Sequence, residues 1–277
     1  MYKIKSILLK YKIHPNKLMG QNFLIDENIL NKIIESADIK KDDTILEIGP
    51  GLGILTIELA KRARKVIAIE KDKNLCEILQ KILDAENVKN VKIINADILK
   101  SRYKIQDTNY KVVANIPYYL TSPLIRKFLE TDYKPEFMVL MIQKEVAQRI
   151  CAILPKMSLL AVSVQFYAKP EIISYVSKTS FYPAPKVDSA IIKIIPHSNV
   201  GHTMSHINTE KFFKLVKTGF SAKRKMLINN LSRNLGIVSC ELEIIFDKIG
   251  LGRKLRAENL TINDWIKLFT SLDYIDF

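Results

Sequence analysis

The chain has 277 residues, 48% of them hydrophobic, enough to bury a full core in one large domain or two. Its formal net charge of +14 is high for that length and favours a polyanionic partner, with nucleic acid and an anionic membrane surface as the usual candidates. No apolar run is long enough to span a bilayer, and three widely separated cysteines without a CxxC pair fit a reducing cytoplasm and exclude a disulfide framework.

The first twenty residues hold five Lys and no acid around the short apolar run Ile7-Leu8-Leu9. That run is too short for a signal peptide, and the absence of Arg argues against a mitochondrial presequence, so residues 1–20 read as a mobile basic arm. Gln21 to Asp26 forms a loop before a helical pattern through Ile29, Leu30, Ile33 and Ile34, with Asp26 or Asn28 as its cap. Thr44 to Ile48 is a strand, Gly49-Pro50-Gly51-Leu52-Gly53 a glycine-rich turn, and Ile54 to Ala60 the start of a helix. Glycines let the backbone approach a ligand, and a helix N-terminus brings unpaired amides to the same place. The pattern is GxGxG and lacks the third glycine of the dinucleotide fingerprint GxGxxG at its usual place, which suits a ligand without a pyrophosphate.

The next strand, Lys65 to Ile69, ends in Glu70, 21 residues beyond Gly49. A carboxylate there is placed to accept hydrogen bonds from both hydroxyls of a ribose, although a solvated acid opening the following helix is the plainer alternative. A third strand, Val91 to Asn95, leads to Asp97, positioned to accept from an adenine amino group. The β-branched run Lys111 to Ala114 ends at Asn115-Ile116-Pro117-Tyr118. Here the Asn carbonyl can accept from an amine, Pro directs the preceding carbonyl the same way, and Tyr offers a flat face for a flipped base. A strand-ending turn with a buried Tyr would explain the tetrapeptide taken alone. Four strands ending in Gly49, Glu70, Asp97 and Asn115 on one edge of a parallel sheet describe more: an adenosine-containing cofactor beside a second reactive site.

Ser122 to Glu130 reads as a helix, Phe137 to Ile142 as a fifth strand, and Gln143 to Ile150 as a further amphipathic helix. Phe181 to Ser189 is a loop punctuated by prolines before a strand from Ala190 to Ile195, and Phe181 is placed as a second face around a base, with Tyr118 as the first, although taken alone it would more often be core. The fold class is therefore α/β, a Rossmann-like sheet domain over residues 21–200. The polar stretch from His197 to Asn208 is a linker, so the pair His202 and His206 is not expected to bind metal. Residues 208–277 form a smaller all-helical domain with twelve basic and eight acidic side chains from Thr209 on. Lys211, Lys214 and Lys217 make a basic stripe, and Lys223, Arg224, Lys225 and Arg233 cluster as phosphate contacts, a solvated helix face being the alternative for any one of them. Thr261 with Asp264 resembles a capped start to the last helix, whose Trp265 and Phe269 face inward.

With these segments assembled, the chain from about Leu18 to Phe269 resembles the ribosomal RNA adenine dimethyltransferases, and within them the bacterial small-subunit branch whose loss gives kasugamycin resistance. The carriers are GQNFLID from Gly20, EIGPGLG from Glu47, Glu70, Asp97, NIPYYLTSPL from Asn115, QKEVAQR from Gln143, FYPAPKVDSA from Phe181 and FSAKRKMLINNL from Phe220. NIPY is also similar to the macrolide-resistance enzymes acting on large-subunit RNA, and the last two segments favour the small-subunit branch. The resemblance implies S-adenosylmethionine as cofactor, S-adenosylhomocysteine as product and no metal. It places Asn22 and Leu24 over the cofactor, Gly49 and Gly51 at its methionine portion, Glu70 at its ribose and Asp97 at its adenine. Asn115 and the carbonyl of Ile116 would hold the target amine, with Pro117, Tyr118 and Phe181 around the base. It further implies small-subunit RNA within a pre-30S particle as partner, a monomer without an obligate protein partner, no membrane, and a cytoplasmic location. One departure stands out: Met157 to Val162 replaces the usual Tyr-Gly-x-Leu-Ser-Val segment, and is expected to support the site rather than form it. A nicotinamide oxidoreductase would share the sheet and Glu70 but leaves Asn115 to Tyr118 unexplained, and a non-catalytic ribosome-assembly factor on the same fold is the remaining alternative.

Overall fold

In the computed structural model of the chain, residues 2–16, 19–101, 109–197 and 207–272 are described. His202 and His206 lie outside them. The chain divides into two units, Met1–Ala147 with Pro170–Pro196, and Gln148–Lys169 with His197–Phe277.

The first unit is built on strands β1 (Phe23–Leu24), β2 (Thr44–Ile48), β3 (Lys65–Glu70), β4 (Val91–Asn95), β5 (Tyr110–Asn115), β6 (Met138–Gln143), β7 (Ala168–Val176), β8 (Phe181–Tyr182) and β9 (Ser189–Pro196). Seven of them form one sheet in the order β4-β3-β2-β5-β6-β9-β7, parallel from β4 to β6, with β9 antiparallel to β6. All five residues of β2 are buried, as expected of a strand covered on both faces. The chain enters the sheet at β2, winds outward through β3 to β4, then crosses back to β5 on the other side of β2. That reversal opens a crevice at the carboxyl ends of β2 and β5, where open α/β sheets take their ligands.

Helices α1 (Tyr2–Lys10), α2 (Glu27–Ser36), α3 (Ile54–Ala60), α4 (Lys73–Ala85), α5 (Thr121–Leu129) and α6 (Lys144–Ile150) accompany the strands. Asp26 caps α2, its Oδ1 accepting from the amides of Asn28 (3.0 Å) and Ile29 (3.4 Å). The apolar stripe Ile29, Leu30, Ile33 and Ile34 then packs with Leu55 and Leu59 of α3 against Ile45, Val113 and Met141 of the sheet. Leu79, Ile82 and Leu83 of α4 pack with Ile57 and Ala68. Within the expected mobile arm over residues 1–20, Tyr2–Lys10 is instead helix α1. Ile4 and Leu8, one helical turn apart, are buried with Phe23, Leu52 and Leu75, so apolar burial outweighs the lysine-rich composition.

The second unit contains α7 (Leu159–Gln165), α8 (Thr209–Gly219), α9 (Leu227–Leu235), α10 (Ser239–Lys248) and α11 (Ile262–Leu272). Phe166, Phe212, Phe246, Trp265 and Leu268 form its core, with the Phe166 and Phe212 rings 4.6 Å apart between centroids. The Thr261–Asp264 cap is present, the Thr261 amide donating to Asp264 Oδ2 (2.9 Å) and the Asp264 amide to Thr261 Oγ1 (3.1 Å). This unit differs from the expected boundary near residue 200, because residues 148–169 group with the helices. The stretch Met157 to Val162 goes with them. Met157, Ala161 and Val162 pack into the helical core, and none of these three lines the cavity described next.

Candidate functional site

The turn after β2 carries three glycines at positive φ: Gly49 at 67°, Gly51 at 55° and Gly53 at 78°. Gly53 ends the turn as the N-cap of α3, and a Cβ there would stand 2.3 Å from Leu79 Cδ1. At Gly51 a Cβ would come within 3.1 Å of the Phe23 ring. Both conformation and space thus demand glycine at these two positions.

Glu70 closes β3 and is bonded directly to that turn. Its Oε2 accepts from the Gly51 amide (3.2 Å) and its Oε1 from the Asp72 amide (2.9 Å). Burial pushes the Glu70 carboxyl up from its ordinary pKa, while the backbone donors of Asp72, Gly51 and Lys71 pull it back. Asp72 in turn caps α4 and accepts from Gln21 Nε2 (3.1 Å), tying the N-terminal loop to the same edge. Beneath lies Glu47, 1% exposed, whose Oε2 has no hydrogen-bond partner among the described residues. Burial raises its carboxyl to about 8, the nearby Thr56 hydroxyl pulling it down and the Glu70 charge pushing it further up. Asp97, beyond β4, carries an ion pair that sequence reading missed: Lys71 Nζ lies 3.1 Å from its Oδ2. That contact, with the Leu99 amide on Oδ1 (3.0 Å), holds the Asp97 carboxyl below its ordinary range.

Asn115 ends β5 at the switch point. Its Nδ2 donates to the backbone carbonyl of Asn22 (3.4 Å), leaving Oδ1 as an acceptor, and Asn22 is itself held by a bond from its Nδ2 to the Gly20 carbonyl (3.2 Å). Pro117 opens a 3-10 turn over Tyr118–Leu120, closed by the Leu120 amide on the Pro117 carbonyl (2.9 Å). The Tyr118 hydroxyl lies 2.7 Å from Ser189 Oγ at the start of β9. β1 and β8 pair antiparallel, setting Leu24 opposite Phe181 and Phe23 opposite Tyr182.

These parts enclose a cavity of about 190 Å³. It is lined by Asn22, Leu24, Gly49, Gly51, Glu70, Asp97, Asn115, Ile116, Pro117, Tyr118 and Phe181, so the sheet-edge residues singled out from the sequence meet in one place. Glu47 and Tyr119 line it as well. Phe181 lines the cavity and also belongs to the core, the alternative its sequence left open. It is 3% exposed and packed with Leu24, Val176 and Ile191 in the sheet core, because pairing with β1 draws it inward, so it forms a fixed wall rather than a free ring.

The remaining residues singled out lie in the second unit. Lys223, Arg224 and Lys225 occupy the turn between α8 and α9, and Arg233 the last turn of α9; all four are exposed. Buried Asn230 braces that turn, its Nδ2 donating to the carbonyls of Gly219 (2.6 Å) and Ala222 (3.2 Å). Among the described residues no group of three or more His, Cys, Asp or Glu could hold a metal ion.

The family model for ribosomal RNA adenine dimethylase matches residues 13–274. The ribosomal RNA small subunit methyltransferase A of Dehalococcoides mccartyi strain CBDB1 is 44% identical over 272 residues, covering 97% of this chain and 92% of that protein. The protein of the same name from Clostridium botulinum strain Okra is 42% identical over 270 residues, covering 95% and 96%. Among solved structures, a dimethyladenosine transferase from Plasmodium falciparum superposes with a TM-score of 0.79 at 31% identity, over 91% of this chain and 97% of that one. The 23S rRNA methyltransferase ErmE gives 0.73 at 29% identity, over 91% and 100%.

Proposed function

The chain belongs to the ribosomal RNA adenine dimethylase family, and from that premise we infer how its residues dimethylate adenine in small-subunit ribosomal RNA. Relatives named for the small subunit reach 44% identity, against 29% for the large-subunit enzyme ErmE, so the small-subunit reading stands over its large-subunit rival. The chemistry of the cavity supports S-adenosylmethionine as the methyl donor. The Glu70 carboxyl, buried at the end of β3 beside the glycine turn and lining the cavity, suits a ligand that carries ribose hydroxyls. When bound, that cofactor supplies a methyl group already activated on a sulfonium centre and leaves as S-adenosylhomocysteine. Asn22 and Leu24 cover it, Gly49 and Gly51 approach its methionine portion, Glu70 takes the ribose, and Asp97 the adenine.

The acceptor, an adenine exocyclic amine, is a poor nucleophile because its lone pair is delocalised into the ring. Asn115 Oδ1 and the Ile116 carbonyl accept its two hydrogens and hold the nitrogen in a more pyramidal form, with the lone pair localised for attack. Pro117 sets the direction of that carbonyl, Tyr118 stacks on the extruded base, and Phe181 forms the wall behind it. The displaced proton passes to water. After one transfer the amine keeps one hydrogen for one acceptor, so the same pair serves the second round. The substrate is two adjacent adenosines in the 3′-terminal hairpin of small-subunit RNA, met in a pre-30S particle in the bacterial cytoplasm. The protein acts as a monomer, and Lys223, Arg224, Lys225 and Arg233 contact RNA phosphates.

The observation that carries this reading is the Asn22–Asn115 hydrogen bond, which commits the amide nitrogen to the protein and keeps the amide oxygen for substrate. Asn115→Ala should lower methyl transfer to unmodified small-subunit RNA by about 100-fold or more while largely preserving cofactor binding by calorimetry. Undiminished turnover in that variant would remove Asn115 from the reaction, and the reading with it.

A further inference from the structure

We propose that Ser189 is a positioning residue for methyl transfer, holding the Tyr118 ring square to the base through a hydroxyl–hydroxyl hydrogen bond; this rests on the role given above to Asn115 through Tyr118. The bond is short, 2.7 Å between Tyr118 Oη and Ser189 Oγ. Ser189 is fully buried at 0% exposure, and a buried hydroxyl is destabilising unless it is paired. Its Oγ is paired to Tyr118, a cavity-lining residue.

The backbone around Ser189 is pinned independently of that bond. Ser189 stands opposite Gln143 in the β6–β9 register. Its neighbour Asp188 accepts from the Lys144 amide on its carbonyl (3.0 Å) and from the Lys178 amide on Oδ1 (3.1 Å). Tyr118, by contrast, sits on a single 3-10 turn, anchored locally by Thr121 Oγ1 donating to its carbonyl (3.0 Å). Ser189 therefore supplies a fixed point at the hydroxyl end of the ring. The segment that ends at Ser189 begins at Phe181, a second aromatic that lines the cavity. One proline-punctuated stretch thus supplies both a residue of the cavity wall and the anchor of Tyr118.

A double-mutant cycle over Tyr118→Phe and Ser189→Ala tests this, with the full chain and unmodified small ribosomal subunits as substrate. Each single variant should lower kcat about tenfold with the KM for cofactor unchanged, and the double variant should be no slower than the slower single one. Losses that multiply, an unaltered kcat in Tyr118→Phe, or a rate loss that merely follows a lower Tm would each overturn it. If Ser189→Ala does not fold, Tyr118→Phe alone decides, since it deletes the same bond from the other side. Asn115→Ala run in parallel keeps the two readings apart: activity retained there sinks the adenine-binding assignment, whereas activity lost there but intact in Tyr118→Phe sinks only the role of Ser189.

Discussion

At the scale of single residues, Glu47 combines near-complete burial with a carboxyl raised to about 8, from an ordinary value of 4.5. The folded protein therefore binds this proton more tightly than the unfolded chain does. The stability it contributes is complete below about pH 4.5 and is lost as pH rises toward 8, the window between the two values. Glu70 shifts in the same direction and adds to the same slope. Glu47→Gln, neutral at every pH, should flatten the fall of Tm in cofactor-free protein between about pH 5 and pH 9, with a gain of up to a few kcal/mol at the alkaline end. Equal slopes for the two proteins in a pH series of thermal melts would show that Glu47 is ionised throughout. Asp97 has the opposite character. Its Lys71 partner favours the charged form, so it remains an acceptor across the same range.

Among the elements, the glycine turn and the first residues of α3 bring strand β2 to the ligand edge. Gly53→Ala would combine a left-handed φ of 78° with a Cβ 2.3 Å from the tip of Leu79 on α4. The expected cost is roughly 2–4 kcal/mol, read as a lowered denaturant midpoint, and a midpoint within error of the parent would mean that α4 yields freely. This part of the fold was legible in the sequence for a physical reason. Parallel strands buried on both faces appear as continuous runs of Ile, Val and Leu, and a glycine turn declares itself by composition. Other parts were not legible. Helix α1 hides its two buried residues, Ile4 and Leu8, among lysines. The bonds of Asn115 to Asn22, of Tyr118 to Ser189 and of Lys71 to Asp97 join residues far apart in the chain, which no local pattern records. Residues 148–169 read as a continuation of the sheet domain because their destination depends on Phe166 meeting Phe212, again a long-range event.

At the scale of the whole molecule, the net charge of +14 matches an enzyme whose substrate is a polyanion. The turn from Ser221 to Met226 presents three consecutive cations, and Asn230 braces its backbone at Gly219 and Ala222. Reversing Lys223, Arg224 and Lys225 to Glu should weaken binding to small ribosomal subunits at physiological salt. The salt dependence of binding should fall by about one unit for each phosphate no longer neutralised. Unchanged affinity and slope in a filter-binding titration would assign RNA recognition to another surface. The pairing of β1 with β8 sets a timetable for the molecule. Phe23 and Leu24 leave the ribosome early, but their partners Tyr182 and Phe181 follow about 160 residues later. A nascent chain long enough to hold every residue assigned to the cofactor still lacks one wall of its pocket and the anchor of Tyr118. Competence therefore cannot precede the emergence of the ninth strand, late in synthesis, and a chain truncated before it would lack the anchor of Tyr118.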